Sequence, residues 1–552
     1  MKPVAGVFAT LSLLASATPI ESSSASNSNS ITSHVRNANY IFNSLHSSMR
    51  QWGSAWHHNG MSFYLASVPS GTQFYHGTQS ADRVNGTEWL AFEPEHALNF
   101  ARPRHGRGPG KGPGGGPPPG GPPPPPPFAM RKEKMNKGKQ EVLLPGDKAD
   151  NEGQREEEEE EWGYLHTYVA NKDLRLLYID GLSAGKTDMG TTDSGDRIFL
   201  QDRNLTLSDN DQRTHQAGPG GEYARARIGC EIARNDWNDR IDGVLRAEAG
   251  FEIILCDFAR DLDVVRINAV KKDDDETFPA GFGNSGYFYR SIAARFDGIG
   301  GERVKINYDN FITAFTYEEL DLFNGGKNQM PRLNHFSTEE LQPIRDDLTR
   351  FVMEHETTEE SSFNWQSIVD MIVTKYSNLL MFFASDEMES LQSLQANITT
   401  IFLAFIDGRR RDALAETERC ATQFIANPNN NRLSPRQNVH KGKSLAGQVV
   451  YDVSYSICST LRSVLDDTDF MVATSRITNL IEYLAWTTWK ECKTKCAYNQ
   501  ACFIPIWPFG TVQDRLDPQC KEGEDDSRGG ERYWRGGFGG GKPREDGWHE
   551  EL

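Results

Sequence analysis

Residues 103–127 are almost entirely glycine, proline, arginine and lysine, and they close on the run Pro122 to Pro127. Such a stretch has no apolar side chains to bury, so it cannot join a core and reads as disordered or polyproline-II chain. The charged stretch that follows ends in Glu156 to Glu161. Together, residues 103–161 read as one long surface insertion, basic at its start and acidic at its end. A proline-rich tract can also recruit binding modules, but a plain spacer is the preferred reading. Whatever folds on either side must close its core around this excursion.

On both sides the pattern is mixed α/β. Ala38 to Met49 reads as a helix. Ser62 to Val68 and Thr72 to Tyr75 read as strands parted by the turn triplet Pro69-Ser70-Gly71. Glu88 to Phe92 is a short apolar strand, and Pro94 opens a helix running to about Arg102. After the insertion, strands are expected at Tyr164–Val169, Leu174–Ile179, Gly243–Leu245, Phe251–Phe258 and Val264–Ile267, with a helix over Glu222–Arg234. The spacing is not that of regular βαβ units, so the class is α+β. From Ser337-Thr338-Glu339-Glu340, a capping-box start, helical spacing takes over. Further helices fit Trp365–Ala384, Met388–Ile406, Arg410–Ile425, Leu445–Leu465 and Phe470–Lys493. The expected organisation is an α+β domain over 38–102 and 162–300, a connecting segment over 301–336, an all-α disulfide-stapled domain over 337–522 and a disordered tail over 523–552.

The N-terminal residues point to export. Lys2 precedes a mostly apolar run from Val4 to Ala15, and Ala15-Ser16-Ala17 offers small residues at cleavage spacing. Residues 1–17 are therefore expected to be a signal peptide, and the Ser/Asn-rich stretch over 18–37 to be disordered. No later segment reads as a membrane anchor, since Ile368 to Ala384 contains Asp370, Lys375 and Asn378. Eight cysteines suit an oxidising compartment. Four bridges would allow about a hundred pairings, among which sequence cannot choose. Cys492, Cys496 and Cys502 crowd the end of the helical region and are expected to staple it to the segment Ile504 to Phe509. Zinc is the rival reading of those thiols, disfavoured because no histidine lies between Cys492 and Cys520. Acceptor triplets stand at Asn85, Asn204 and Asn397, so a secreted glycoprotein is expected. The formal net charge of −18 argues against nucleic acid or anionic membrane as the main partner. The oligomeric state is not legible.

One constellation is spread over the N-terminal domain. It comprises Gln73-Phe74-Tyr75-His76-Gly77-Thr78, then Trp89-Leu90-Ala91-Phe92-Glu93-Pro94-Glu95-His96-Ala97, then Asp242-Gly243-Val244 with Gly250-Phe251-Glu252-Ile253-Ile254-Leu255. The set resembles the ADP-ribosyltransferase fold, in its branch with a His–Tyr–Glu triad. The resemblance implies a split β-sheet domain, NAD as substrate, and cleavage of NAD or transfer of ADP-ribose to a protein acceptor. By position, Glu252 would be the catalytic glutamate and His76 the NAD-orienting histidine. Tyr75, Gly77, Thr78 and Trp89 would line the NAD site, with Trp89 where the family carries tyrosine. The chemistry is coherent, because a carboxylate beside the ribose stabilises a transition state of oxocarbenium character. No metal is expected. A glycan at Asn85 would crowd a cleft between the first two motifs. The alternative is a non-catalytic secreted glycoprotein that keeps the scaffold for a binding or structural role. His76 would then be a satisfied structural histidine and Glu252 the solvent-facing residue of a half-exposed strand.

Other patterns carry less. Gly181 to Thr187 imitates a phosphate-binding loop, but three residues separate its glycines where four are needed, and Asp180 would repel phosphate. Ser183 within Gly181 to Gly185 matches a hydrolase nucleophile elbow, yet Lys186 to Gly195 does not read as the required helix. His46, His57, His58 and His76 show no metal-ligand spacing and read as surface or turn residues. Glu248 and Glu252 form a possible glycosidase pair whose separation cannot be read across Gly250.

Overall fold

The computed structural model describes residues 34–101, 162–203, 221–271, 302–324, 330–425 and 444–522, apart from 188, 360, 499 and 508, together with 289 and 299. The expected leader, almost all of the Ser/Asn-rich stretch, the insertion over 103–161, the acceptor Asn204 and the tail over 523–552 lie outside the described residues. Val35 onward forms one compact unit.

Nine strands make one sheet: β1 (Asn59–Val68), β2 (Gln73–Thr78), β3 (Glu88–Ala91), β4 (Trp162–Ala170), β5 (Leu174–Gly181), β6 (Gly243–Ala247), β7 (Phe251–Leu255), β8 (Leu262–Lys271) and β9 (Lys305–Thr313). Their order is β8-β4-β2-β3-β7-β6-β5-β1-β9, antiparallel throughout except between β5 and β6. The order forces curvature. Only Pro69–Thr72 joins β1 to β2, although the two stand five places apart in the sheet. That stretch reaches at most roughly 17 Å, whereas five inter-strand spacings in a flat sheet cover roughly 24 Å. Asn171–Asp173 makes the same jump from β4 to β5. The sheet therefore curls, and the two connections meet at its corner. There the Gly71 N–H donates to the Ala170 carbonyl (2.8 Å) and the Ala170 N–H to the Thr72 carbonyl (2.9 Å). Gly71 takes φ +87, a left-handed conformation that glycine adopts without penalty.

The stretch over 301–336 does more than connect, because it supplies β9, which pairs with β1 through Phe63–Ile312 and Ser62–Thr313. The helices after Ser337 then pack onto the same core. One apolar cluster runs from Phe63, Tyr178 and Leu245 through Phe311 to Trp365, Val453 and Leu461. Polar sutures reinforce this junction. Asn39 and Asn43, on helix α1 (Ala38–Ser47), donate to the last carbonyls of the Phe470–Leu484 helix, at 2.6 and 2.8 Å. Arg50 pairs with both oxygens of Asp370 at 2.7 Å. The capping box at Ser337 and Glu340 is present in both halves, at 3.2 and 2.7 Å. Asn364, Ser390, Asp412, Ser444 and Asp469 cap the five helices that follow. The last of these stops at Leu484, short of the expected Lys493, because Ala485 turns left-handed.

All eight cysteines are paired: Cys230–Cys256, Cys420–Cys458, Cys492–Cys502 and Cys496–Cys520. The last two tie the segment after Trp486 to a hairpin of β10 (Gln500–Phe503) and β11 (Gln519–Glu522). Phe503, Ile504, Ile506 and Phe509 of that segment pack with Ala249 and with Trp52 and Trp56 of helix α2 (Gln51–Trp56). No helix among the described residues is long and apolar enough to cross a membrane.

Candidate functional site

Pairing register decides which sequence motifs meet. Tyr75, Ala91, Glu252 and Arg246 lie in one row across β2, β3, β7 and β6. Residues in one row share a face of the sheet, and the next residue along a strand points to the other. Glu252 and Tyr75 therefore share a face, Trp89 shares it two residues before Ala91, and His76 faces the opposite side. That side is the main core, with Phe74, Leu90, Ile253 and Leu255. His76 is 8 % exposed, edge-on to Phe258 and His166, and its Nδ1–H donates to the Trp89 carbonyl at 2.8 Å. Burial lowers its pKa to about 4, against the opposing pull of that carbonyl. The expectation that His76 and Glu252 converge on one cleft is thus corrected: a single step along β2 separates them by the thickness of the sheet.

The other expected NAD-site residues lie along β2 and β3. Gly77 does allow a close approach, but by the backbone of helix α3 (Pro94–Leu98). A Cβ there would lie 2.0 Å from the Ala97 carbonyl oxygen and 2.7 Å from the Ala101 nitrogen. Thr78 ends β2 opposite Tyr164. The Tyr75 hydroxyl accepts from Gln73 at 2.7 Å, and Trp89 meets Tyr223 edge-on at 5.0 Å. Asp242, which opens the third motif, is wholly buried and binds Lys172 (2.8 Å), Arg175 (2.9 Å) and Arg260 (3.2 Å) as a structural knot.

The lesser patterns resolve too. Ser183 is buried and donates to the Ile179 carbonyl at 2.9 Å, so it is not poised as a nucleophile. Asp180 turns inward to Ser44 (2.7 Å) and the Ser62 N–H (2.8 Å). His57, half-buried, sits in the turn that ends the Gln51–Trp56 helix, whereas His58 is buried and is not a surface residue. Burial first, and then nearby cations, press His57 down to about 3.

Glu252 does not face solvent, being 6 % exposed. It belongs to a cluster of charged groups on the helix-covered face. Its Oε1 accepts from Arg246 at 2.8 Å. Arg246 also binds Glu222, from the Glu222–Glu231 helix. Lys186 holds Glu248 Oε1 at 2.7 Å and reaches Glu222 at 3.6 Å. Burial would raise Glu222, but Arg246, Lys186 and Arg225 outweigh it and hold that carboxyl down at about 2. Glu248, 9 % exposed, goes the other way. Burial pushes it up to about 7, Lys186 pulls against this, and Glu252 and Glu222 add to the push. His96 of α3, 4 % exposed, completes the group. One donor atom each of His96, Glu248 and Glu252 lies within 4.8 Å of the others. Gly250, in the β6–β7 turn, makes room for this, since a Cβ there would be 2.7 Å from His96 Nδ1. Trp507, from the stapled segment, lies beneath the Lys186 ammonium at 5.2 Å from its ring centre.

Residues 28–283, which contain the whole cluster apart from Trp507, match the family described as the YPL277C N-terminal domain. The chain is similar to two Saccharomyces cerevisiae proteins. It is 25 % identical to uncharacterized protein YOR389W, over 86 % of this chain and 83 % of that protein. It is 32 % identical to uncharacterized protein YPL277C, over 41 % of each. No solved structure matches the chain.

Proposed function

We propose that this chain is an exported, disulfide-stapled glycoprotein with a binding role, built on a scaffold resembling the ADP-ribosyltransferase fold but lacking that fold's NAD pair. One observation carries the reading: His76 and Glu252 point to opposite faces of the sheet, and His76 is sunk in the core. A residue that orients NAD must reach the same cleft as the carboxylate that acts on it. The mixed α+β content supports the scaffold half of the resemblance, although the expected split sheet is one continuous nine-stranded sheet, and fold alone does not bring activity. Four disulfides support export, as do the exposed acceptor asparagines Asn85 and Asn397. The net charge of −18 directs binding away from nucleic acid and anionic lipid.

The test is expression of the full chain in a eukaryotic secretory host. The expected result is protein in the medium, without free thiols, whose mass falls on endoglycosidase treatment. The purified protein, incubated with NAD, should release no more nicotinamide than Glu252→Gln. Retention in the cell with reduced cysteines would overturn the export half. Nicotinamide release that Glu252→Gln abolishes would restore the NAD reading.

A further inference from the structure

The cluster around Glu252 is out of balance in a way that points to a ligand. Lys186 and Arg246 face three buried carboxylates, Glu222, Glu248 and Glu252. A third cation among the described residues, Arg225, reaches Glu222 at 3.5 Å but also binds Asp196 at 2.7 Å. Buried charge is costly unless it is paired. Among the described residues one negative charge is thus left over, to be met by a proton or by a further cation. The ion pairs of Glu248 and Glu252 both use Oε1, which leaves Oε2 of each carboxylate for another partner. An imidazole is brought to the same spot by a different element, α3. Gly250 does not have a left-handed φ, so its backbone alone does not require glycine. What excludes a side chain there is His96.

We propose that His96, Glu248 and Glu252 bind one divalent first-row transition ion. One imidazole nitrogen with two carboxylate oxygens is a donor set suited to Zn2+ or Mn2+, and its nitrogen disfavours Ca2+ and Mg2+, which prefer all-oxygen shells. The ion's two positive charges more than offset the single excess negative charge. Lys186 yields Glu248 and keeps Glu222, which it already approaches at 3.6 Å. Arg246 stays on Glu252 and orients it, as outer partners of metal ligands commonly do. The site goes beyond the export reading and does not depend on it. Failure to bind metal would leave that reading intact, and retention inside the cell would leave the metal test intact.

The experiment uses the full-length oxidised protein, stripped with EDTA and titrated calorimetrically with Zn2+ near neutral pH. One ion per chain is expected. His96→Ala and Glu248→Gln should each weaken binding about 100-fold or more. Gly250→Ala should weaken it as well, by displacing the imidazole. His335→Ala, at an exposed histidine outside the cluster, should leave binding unchanged. No binding, or binding that His96→Ala does not alter, would overturn the proposal. Should His96→Ala fail to fold, electron paramagnetic resonance of Cu2+ bound to the wild type gives an independent reading. One coordinating nitrogen is expected, and none or several would sink the assignment.

Discussion

Replacing Glu248 by glutamine should stabilise the metal-free protein, and more so as pH rises. In the fold, burial and the neighbouring carboxylates raise Glu248 from 4.5 to about 7. A carboxyl raised in the native state keeps its proton where the unfolded chain has lost its own. Its stabilising contribution is therefore complete below the unfolded pKa and disappears as pH climbs through the native one. With those two values the wild type loses about 2–3 kcal/mol between about pH 5 and about pH 8. Glutamine copies the protonated carboxyl and does not titrate. Glu248→Gln should thus exceed wild type by about 1 kcal/mol at the lower pH and about 3 kcal/mol at the higher. Urea unfolding in EDTA at both pH values, on both proteins, measures this double difference directly. Groups elsewhere titrate equally in the two proteins and cancel. A gap that stays constant, or a wild type favoured at the higher pH, would refute the reasoning. It would mean that Lys186, 2.7 Å away, keeps Glu248 ionised despite Glu222 and Glu252.

His76 should drive acid sensitivity in the opposite sense. Its native pKa of about 4 lies below the ordinary 6.5, so its contribution is present above 6.5 and fades as pH falls towards 4. His76→Gln should flatten the acid limb of the unfolding profile by about 2 kcal/mol at about pH 5. Removing the Cys420–Cys458 bridge by alanine replacement of both residues frees a loop of sequence separation 38 and should lower stability by about 4 kcal/mol in denaturant titrations. Gly77→Ala drives a methyl into the Ala97 carbonyl and should cost about 1–3 kcal/mol. Limited proteolysis should then cut first near α3.

Much of the sheet was legible because β1, β2, β4, β5 and β7 alternate apolar and polar residues or run apolar throughout. The strand β9 was not, since Lys305–Thr313 mixes asparagine and aspartate into its apolar positions. Its burial comes from pairing with β1, not from its own pattern. The order of strands was equally hidden, because β1 and β2 are neighbours in the chain and far apart in the sheet. At the site, sequence pointed to Glu252 but gave it the wrong companion. Which of Tyr75 and His76 shares its face depends on how β3 registers against both β2 and β7, and one residue of slip would exchange them. His96 lay inside a quoted motif without being singled out. Its approach to Glu248 needs the β6–β7 turn to reach α3, and the one local trace of that meeting is the glycine at 250.

The proline-rich excursion departs and returns at a single place. Ala101, the last described residue before it, touches the backbone position of Gly77, and Leu165, just after it, is the register partner of Gly77. Both of its anchors are thus riveted to one residue of β2. For such a tethered loop the entropic penalty grows only logarithmically, about 0.6 kcal/mol for each doubling of its length. Natural or engineered versions of this chain can therefore shorten, lengthen or replace the excursion while the strands on either side stay in register.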